Sequence, residues 1–249
     1  LTAANFETVN LESSKLAATT GAIINNIDSL AIASATTLNI SGNSELVIDG
    51  ITGGAMTALD ASALAAKLTA TFSSTDKVTA TAASKDTTFN FGSTLDNNDT
   101  VVGGASAKDV VTATLSGATA TTGALNISGV ETVTLTTSAA NTIDLTKVVG
   151  ASTVSVSGNT QTITGLNVAT TALQSTGDTT AKVTASDATG TADVLTYGVK
   201  VNADSSNTIE ASDIETLSIT LNDTTAGTDH TATFDVDTFK GANITVSDV

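Results

Sequence analysis

Apolar and polar residues alternate along this chain in short runs. Leu38-Asn39-Ile40, Glu45-Leu46-Val47-Ile48, Val78-Thr79-Ala80-Thr81, Val133-Thr134-Leu135, Val154-Ser155-Val156 and Leu217-Ser218-Ile219 are examples. Each run puts branched apolar side chains on one face and Thr, Ser or Asn on the other, the period of a half-buried strand. Turn-forming clusters such as Ser41-Gly42-Asn43 and Ser157-Gly158-Asn159 separate the runs. Many short strands punctuated in this way predict an all-β fold. The one helix candidate is Ala58 to Leu68, where Leu59, Ala63 and Ala66 fall at helical spacing behind a capping residue, Thr57 or Asp60; the alternative is an ordinary solenoid turn.

A six-residue pattern recurs: apolar, acid, hydroxyl, apolar, small or polar, apolar. Its copies are Phe6 to Leu11, Ile27 to Ile32, Val130 to Leu135 and Ile214 to Ile219, with Asn43 to Ile48 as a decayed copy. The first two start 21 residues apart and the last two 84 apart, four times 21. A unit of about 21 residues is one coil of a parallel β-solenoid, in which each coil buries its apolar row only against its neighbours. Residues 105–135 align without gaps onto 189–219, pairing Asp109 with Asp193, Ser128 with Ser212 and Glu131 with Glu215. This divides the chain into a β-repeat region at 1–104, a repeat unit at 105–188 and a homologous unit at 189–249. The acid of the six-residue pattern is read either as a solvated strand residue or as a corner acid that accepts backbone hydrogen bonds or a calcium ion.

Composition narrows the function. Asp and Glu number 25 against 9 basic residues, all lysine, for a net charge of −16. Phosphate neutralisation needs a basic surface, so nucleic-acid binding is disfavoured, as is attraction to an anionic membrane. No apolar run reaches the roughly 18–20 residues that cross a bilayer. Cysteine and proline are absent, which excludes disulfides, thiolate metal sites and proline-rich linkers. Aromatics make up 3% of the chain, so the expected core is aliphatic, with no large rings at its base. The opening Leu1-Thr2-Ala3-Ala4 has no Met and no charged leader, and reads as a piece of a longer protein cut inside a repeat.

Calcium is the leading candidate ligand, because this hard ion takes six to eight oxygens from carboxylates, carbonyls and water. The segment from Asp96 to Val111 resembles the glycine- and aspartate-rich nonapeptide of the repeats-in-toxin proteins, in which Gly permits tight turns and Asp holds calcium between coils. The copy is degenerate: Ser106 stands where Gly is expected, and Lys108 adds a residue before Asp109. Asp99 and Asp109 are the first candidate ligands, Asp96 follows, and Asp193 inherits the assignment from Asp109. Asp76, Asp86, Asp178, Asp187 and Asp204 sit in similar loops, where Asp is also common without metal. His230 is the only histidine and reads as incidental. Asp235 with Asp237, and Asp213 with Glu215, project pairwise to one face as a glycosidase would need. The aromatic platforms and basic residues of sugar-cleaving β-helices are nearly missing, so no enzyme is expected. Thr-x-Thr triplets such as Thr79-Ala80-Thr81 resemble ice-binding rows, but their spacing is irregular.

Val-Glu-Thr-Val-Thr-Leu, Ile-Glu-Thr-Leu-Ser-Ile, Thr-Ala-Asp-Val-Leu-Thr and Ile-Asp-Leu-Thr-Lys-Val-Val-Gly-Ala, with the lack of Cys, resemble surface-layer proteins of Gram-negative bacteria of the Caulobacter and Campylobacter type. The resemblance implies one-step type I secretion, calcium-driven folding outside the cell and self-assembly into a two-dimensional lattice. It also implies anchoring to lipopolysaccharide through another domain. The alternative is the repetitive stalk of a large secreted calcium-binding adhesin.

Overall fold

The computed structural model describes residues 1–3, 5–15, 21–74, 77–115, 123–137, 141–158, 161–176, 179–185, 191–201, 204–212, 214–223, 230–236 and 243–248. The chain is all-β and builds parallel β-solenoid coils, as the repeat predicts. It divides into two compact units, residues 1–114 with 126–132, and residues 115–125 with 133–249.

In the first unit the coils contribute strands to two parallel sheets. The first sheet runs Thr8–Ser13, Thr37–Gly42, Ala58–Leu64, Thr79–Thr81, Thr100–Val102, Asn126–Ser128. The second runs Ile24–Ile27, Glu45–Thr52, Leu68–Ser74, Thr87–Asn90, Val110–Leu115. Pairing is parallel because the chain returns to a sheet only after passing through the other one. Thr37 pairs with Ala58, Ala58 with Thr79 and Thr79 with Thr100, a step of 21 residues each time.

The stacked coils set like on like. Leu38, Leu59, Ala80, Val101 and Ile127 share one register and form a buried row. Ile48, Ala70, Phe89 and Val111 form the facing row. Burying each larger side chain contributes about 1.5–3 kcal/mol relative to leaving it in water. The outer face carries hydrogen-bonded polar ladders. Thr112 Oγ1 donates to Asn90 Oδ1 at 2.7 Å, Asn90 Nδ2 to Thr71 Oγ1 at 3.3 Å, and Asn39 Nδ2 to Asn10 Oδ1 at 2.8 Å.

Two expectations need correction. Residues 58–68 hold no helix: Ala58–Leu64 and Leu68–Ser74 are strands of the two sheets. The register slips between Asn39 and Ser41, so the inward residues fall at Leu59, Ala61 and Leu64, off strict alternation, while Ala63 of the helical triplet is exposed. The core also has a local aromatic base. Phe72 lies 4.4 Å from Phe91, ring centroid to centroid, in a stack and 6.0 Å from Phe89, and all three are buried.

Two rows of parallel strands build the second unit. One runs Thr153–Gly158, Ala172–Thr176, Val194–Val201, Thr216–Asp223, Asn243–Asp248, and the other Asn141–Asp144, Gln161–Leu166, Thr179–Ala185, Ser205–Ser212, Ala232–Asp235. Val154, Leu173, Tyr197 and Ile219 stack in one buried row and Ile143, Ile163, Val183 and Ala211 in the other.

Candidate functional site

Acidic residues recur at one structural position, the residue immediately before a strand. Glu7, Asp86, Asp99, Asp109, Glu131, Asp193, Asp204 and Glu215 all stand there. A strand entrance leaves backbone amides that the parallel ladder has not yet paired. A carboxylate placed beside them acts as an N-cap residue does on a helix.

The two corners of the Asp96–Val111 segment show the full arrangement. Asp109 is buried, and its Oδ1 accepts the amide of Thr87 in the preceding coil at 2.8 Å. Its Oδ2 accepts the amide of Gly104 in its own loop at 2.7 Å. Asp99 is also buried; its Oδ1 accepts the amide of Val78 in the preceding coil and its Oδ2 that of Asp96, both at 2.9 Å. Gly104 is a glycine because of close approach: a Cβ there would strike the carbonyl oxygen of Ala83 in the neighbouring coil.

At Glu131 and Glu215 the acid of the six-residue pattern is a corner acid gripping backbone. Glu131 Oε2 accepts the amide of Asp109 at 2.8 Å, while the Asp109 carbonyl accepts the amides of Glu131 and Thr132. Glu215 repeats this on Asp193: its Oε2 accepts the Asp193 amide at 2.8 Å, and the Asp193 carbonyl accepts the amides of Glu215 and Thr216. Asp204 works in the other direction, accepting the amide of Thr231 at 2.8 Å.

Burial pushes the Asp99 and Asp109 carboxyls above the ordinary 3.8, against the opposing pull of the amides they accept. Repulsion from Glu131 and Asp86 adds to the rise at Asp109, as repulsion from Asp96 does at Asp99. Asp86 moves the other way: the Ser106 hydroxyl donates to its Oδ1 at 2.6 Å and lowers it, with Lys67, 3.4 Å away, assisting.

The four predicted ligands are not brought to one point. Asp99 guards the entrance of Thr100–Val102 and Asp109 that of Val110–Leu115, in different sheets. Asp96 closes its own turn, its Oδ1 accepting the amide of Asn98 at 2.7 Å, and Asp193 lies in the second unit. Among the described residues no three His, Asp or Glu side chains are grouped to hold a metal ion. The donor set also disagrees with calcium. The buried carboxylates face N–H groups, whose positive ends repel a cation, where a calcium site would need further oxygens. Asp76, Asp178, Asp187, Asp213 and Asp237 lie outside the described residues.

Several contributors carried no sequence signal of their own. Thr87 lends its backbone amide to Asp109, and Asn126 Nδ2 donates to the carbonyls of Asn97 at 3.0 Å and Asp99 at 3.3 Å. The one tyrosine, Tyr197, is a core residue. Burial pushes its hydroxyl up to about 12 despite a smaller opposing effect of Ser175, which leaves it protonated at neutral pH. A depression of about 440 Å³ beside Asp204, Ser205, Ser206, Thr231 and Thr233 holds one carboxylate and no aromatic ring.

No family model, curated protein or solved structure matches the chain.

Proposed function

We infer that the chain is a structural, non-enzymatic stretch of an exported bacterial surface-layer protein, and that calcium acts on its assembly into a sheet outside the cell. The observation that supports this most directly is where the polar residues are spent. Carboxylates at strand entrances and ladders of Thr, Ser and Asn tie coil to coil. Coil stacks of this kind offer regular outer faces for repeated contact between copies. A net charge of −16 opposes that contact, and divalent cations between molecules offset it. Export by a type I system and attachment to lipopolysaccharide through another domain belong to the same reading, on the strength of the motif resemblance.

Electron microscopy of the purified protein, with calcium and after chelation, tests the proposal. Planar arrays that form with calcium and disperse on chelation are expected. Unassociated particles under both conditions sink the lattice reading, and extended stalks with no planar order support an adhesin instead.

A further inference from the structure

We propose that Asp99 and Asp109 fill the place an ion takes in glycine- and aspartate-rich repeats, so that the first unit holds its coils together without a divalent cation. This goes beyond the assembly reading, in which calcium works between molecules. In such repeats a cation ties the loop of one coil to the next by collecting carboxylates and carbonyls. Here the carboxylate itself makes the tie. One oxygen of each Asp takes an amide of the preceding coil and the other takes an amide of its own loop.

The same construction stands at two corners of the coil, which argues for a device rather than an isolated contact. Asp109 reaches Thr87, 22 residues back, and Asp99 reaches Val78, 21 residues back. The loop carbonyls a cation would recruit are also in use. Asn126 Nδ2 donates to the carbonyls of Asn97 and Asp99, and the Asp109 carbonyl accepts two amides. Asp109 therefore joins three successive coils: through its carboxylate to Thr87, and through its own amide and carbonyl to Glu131. Gly104 lets the loop come close enough to the Ala83 carbonyl for the short bond to Asp109 Oδ2. A cation wedged there would have to share the carboxylate with N–H donors already held by charge-assisted bonds, and their positive ends oppose it.

The test is amide hydrogen exchange on the full chain, read at Val78, Thr87 and Gly104, in excess EGTA and in millimolar calcium. Exchange at these amides is expected to agree within about twofold between the two conditions. In Asp109→Ala, Thr87 and Gly104 should exchange about tenfold faster or more, equally with and without calcium. Tenfold or greater acceleration in the unaltered protein on chelation alone overturns the proposal, and that comparison decides even if the variant does not fold. Its failure is separable from that of the lattice reading: calcium-dependent arrays with calcium-independent exchange support both, while calcium-dependent exchange defeats this one alone.

Discussion

The corners at Asp109 in the first unit and Asp193 in the second come from aligned stretches of sequence, yet they are built to different depths. Both share the outer half of the arrangement, with a glutamate accepting the Asp amide at 2.8 Å and an Asp carbonyl taking two amides of the following coil. They differ in the inner half. Asp109 is buried and follows the pair Gly103-Gly104, whereas Asp193 is half-buried and its alignment places Asp187-Ala188 where those glycines stand. The copies at Val130 to Leu135 and Ile214 to Ile219 thus share the glutamate grip. At Asp109 the carboxylate also closes a clamp on the amides of Thr87 and Gly104, and the glycine lets its loop approach the neighbouring coil.

The sharpest way to break this comparison is Gly104→Ala. The added Cβ meets the Ala83 carbonyl, a backbone atom with no rotamer to yield, and moving the loop also parts Gly104 from Asp109. A loss of about 4 kcal/mol is expected by chemical denaturation. A loss below about 1 kcal/mol would mean that close packing at the glycine pair is not what seats Asp109.

Next in size is the pair Asp109→Ala and Asp193→Ala. Removing the buried carboxylate leaves the amides of Thr87 and Gly104 without their acceptor, at about 3 kcal/mol for the two. The half-buried Asp193 should lose about 1 kcal/mol. Equal losses would show that the two corners are energetically alike despite their different burial. Glu131→Ala and Glu215→Ala sharpen the shared half: each removes one charge-assisted bond of the same length, so both should lose about 1.5 kcal/mol. Each effect is read by the same denaturation.

What the sequence made legible follows from what it encodes directly. Stacking like residues every 21 positions requires a repeat, so Val130 to Leu135 and Ile214 to Ile219 announced both the strands Thr132–Thr137 and Thr216–Asp223 and the acids that precede them. Asp99 and Asp109 were visible as unusual acids in a glycine-bearing loop. Their partners were not, because those partners are backbone amides, which every residue but proline possesses. An acid in such a loop reads the same whether carbonyls or N–H groups face it, and only the coil register decides between calcium ligand and clamp. The strand Ala58–Leu64 was misread for a related reason: a register slip against Thr37–Gly42 shifted its inward residues off strict alternation, and no local residue marks the slip. The aromatic base at Phe72, Phe89 and Phe91 was hidden because the residues come from neighbouring coils and overall composition is blind to clustering.

The smallest expected effect lies in pH. Asp99 and Asp109 have folded-state values raised above 3.8, so between the two values the native state binds more protons than the unfolded chain. Their contribution to stability is complete below 3.8 and is lost as pH rises through the raised folded values. Asp86 has the opposite sign: its lowered value contributes stability above 3.8 that disappears as pH falls through the folded value. Two buried groups against one exposed, salt-screened group leave the first direction dominant in the first unit. The melting temperature in EGTA should therefore decline as pH rises from the carboxylate range toward neutrality, with a shallower decline in Asp99→Asn/Asp109→Asn, where neither group titrates. A melting temperature that instead climbs over this interval, or a slope the double variant leaves untouched, would show that burial does not govern these carboxylates. The contrast between the deep corner of the first unit and the shallower corner of the second would then rest on packing at Gly104 alone.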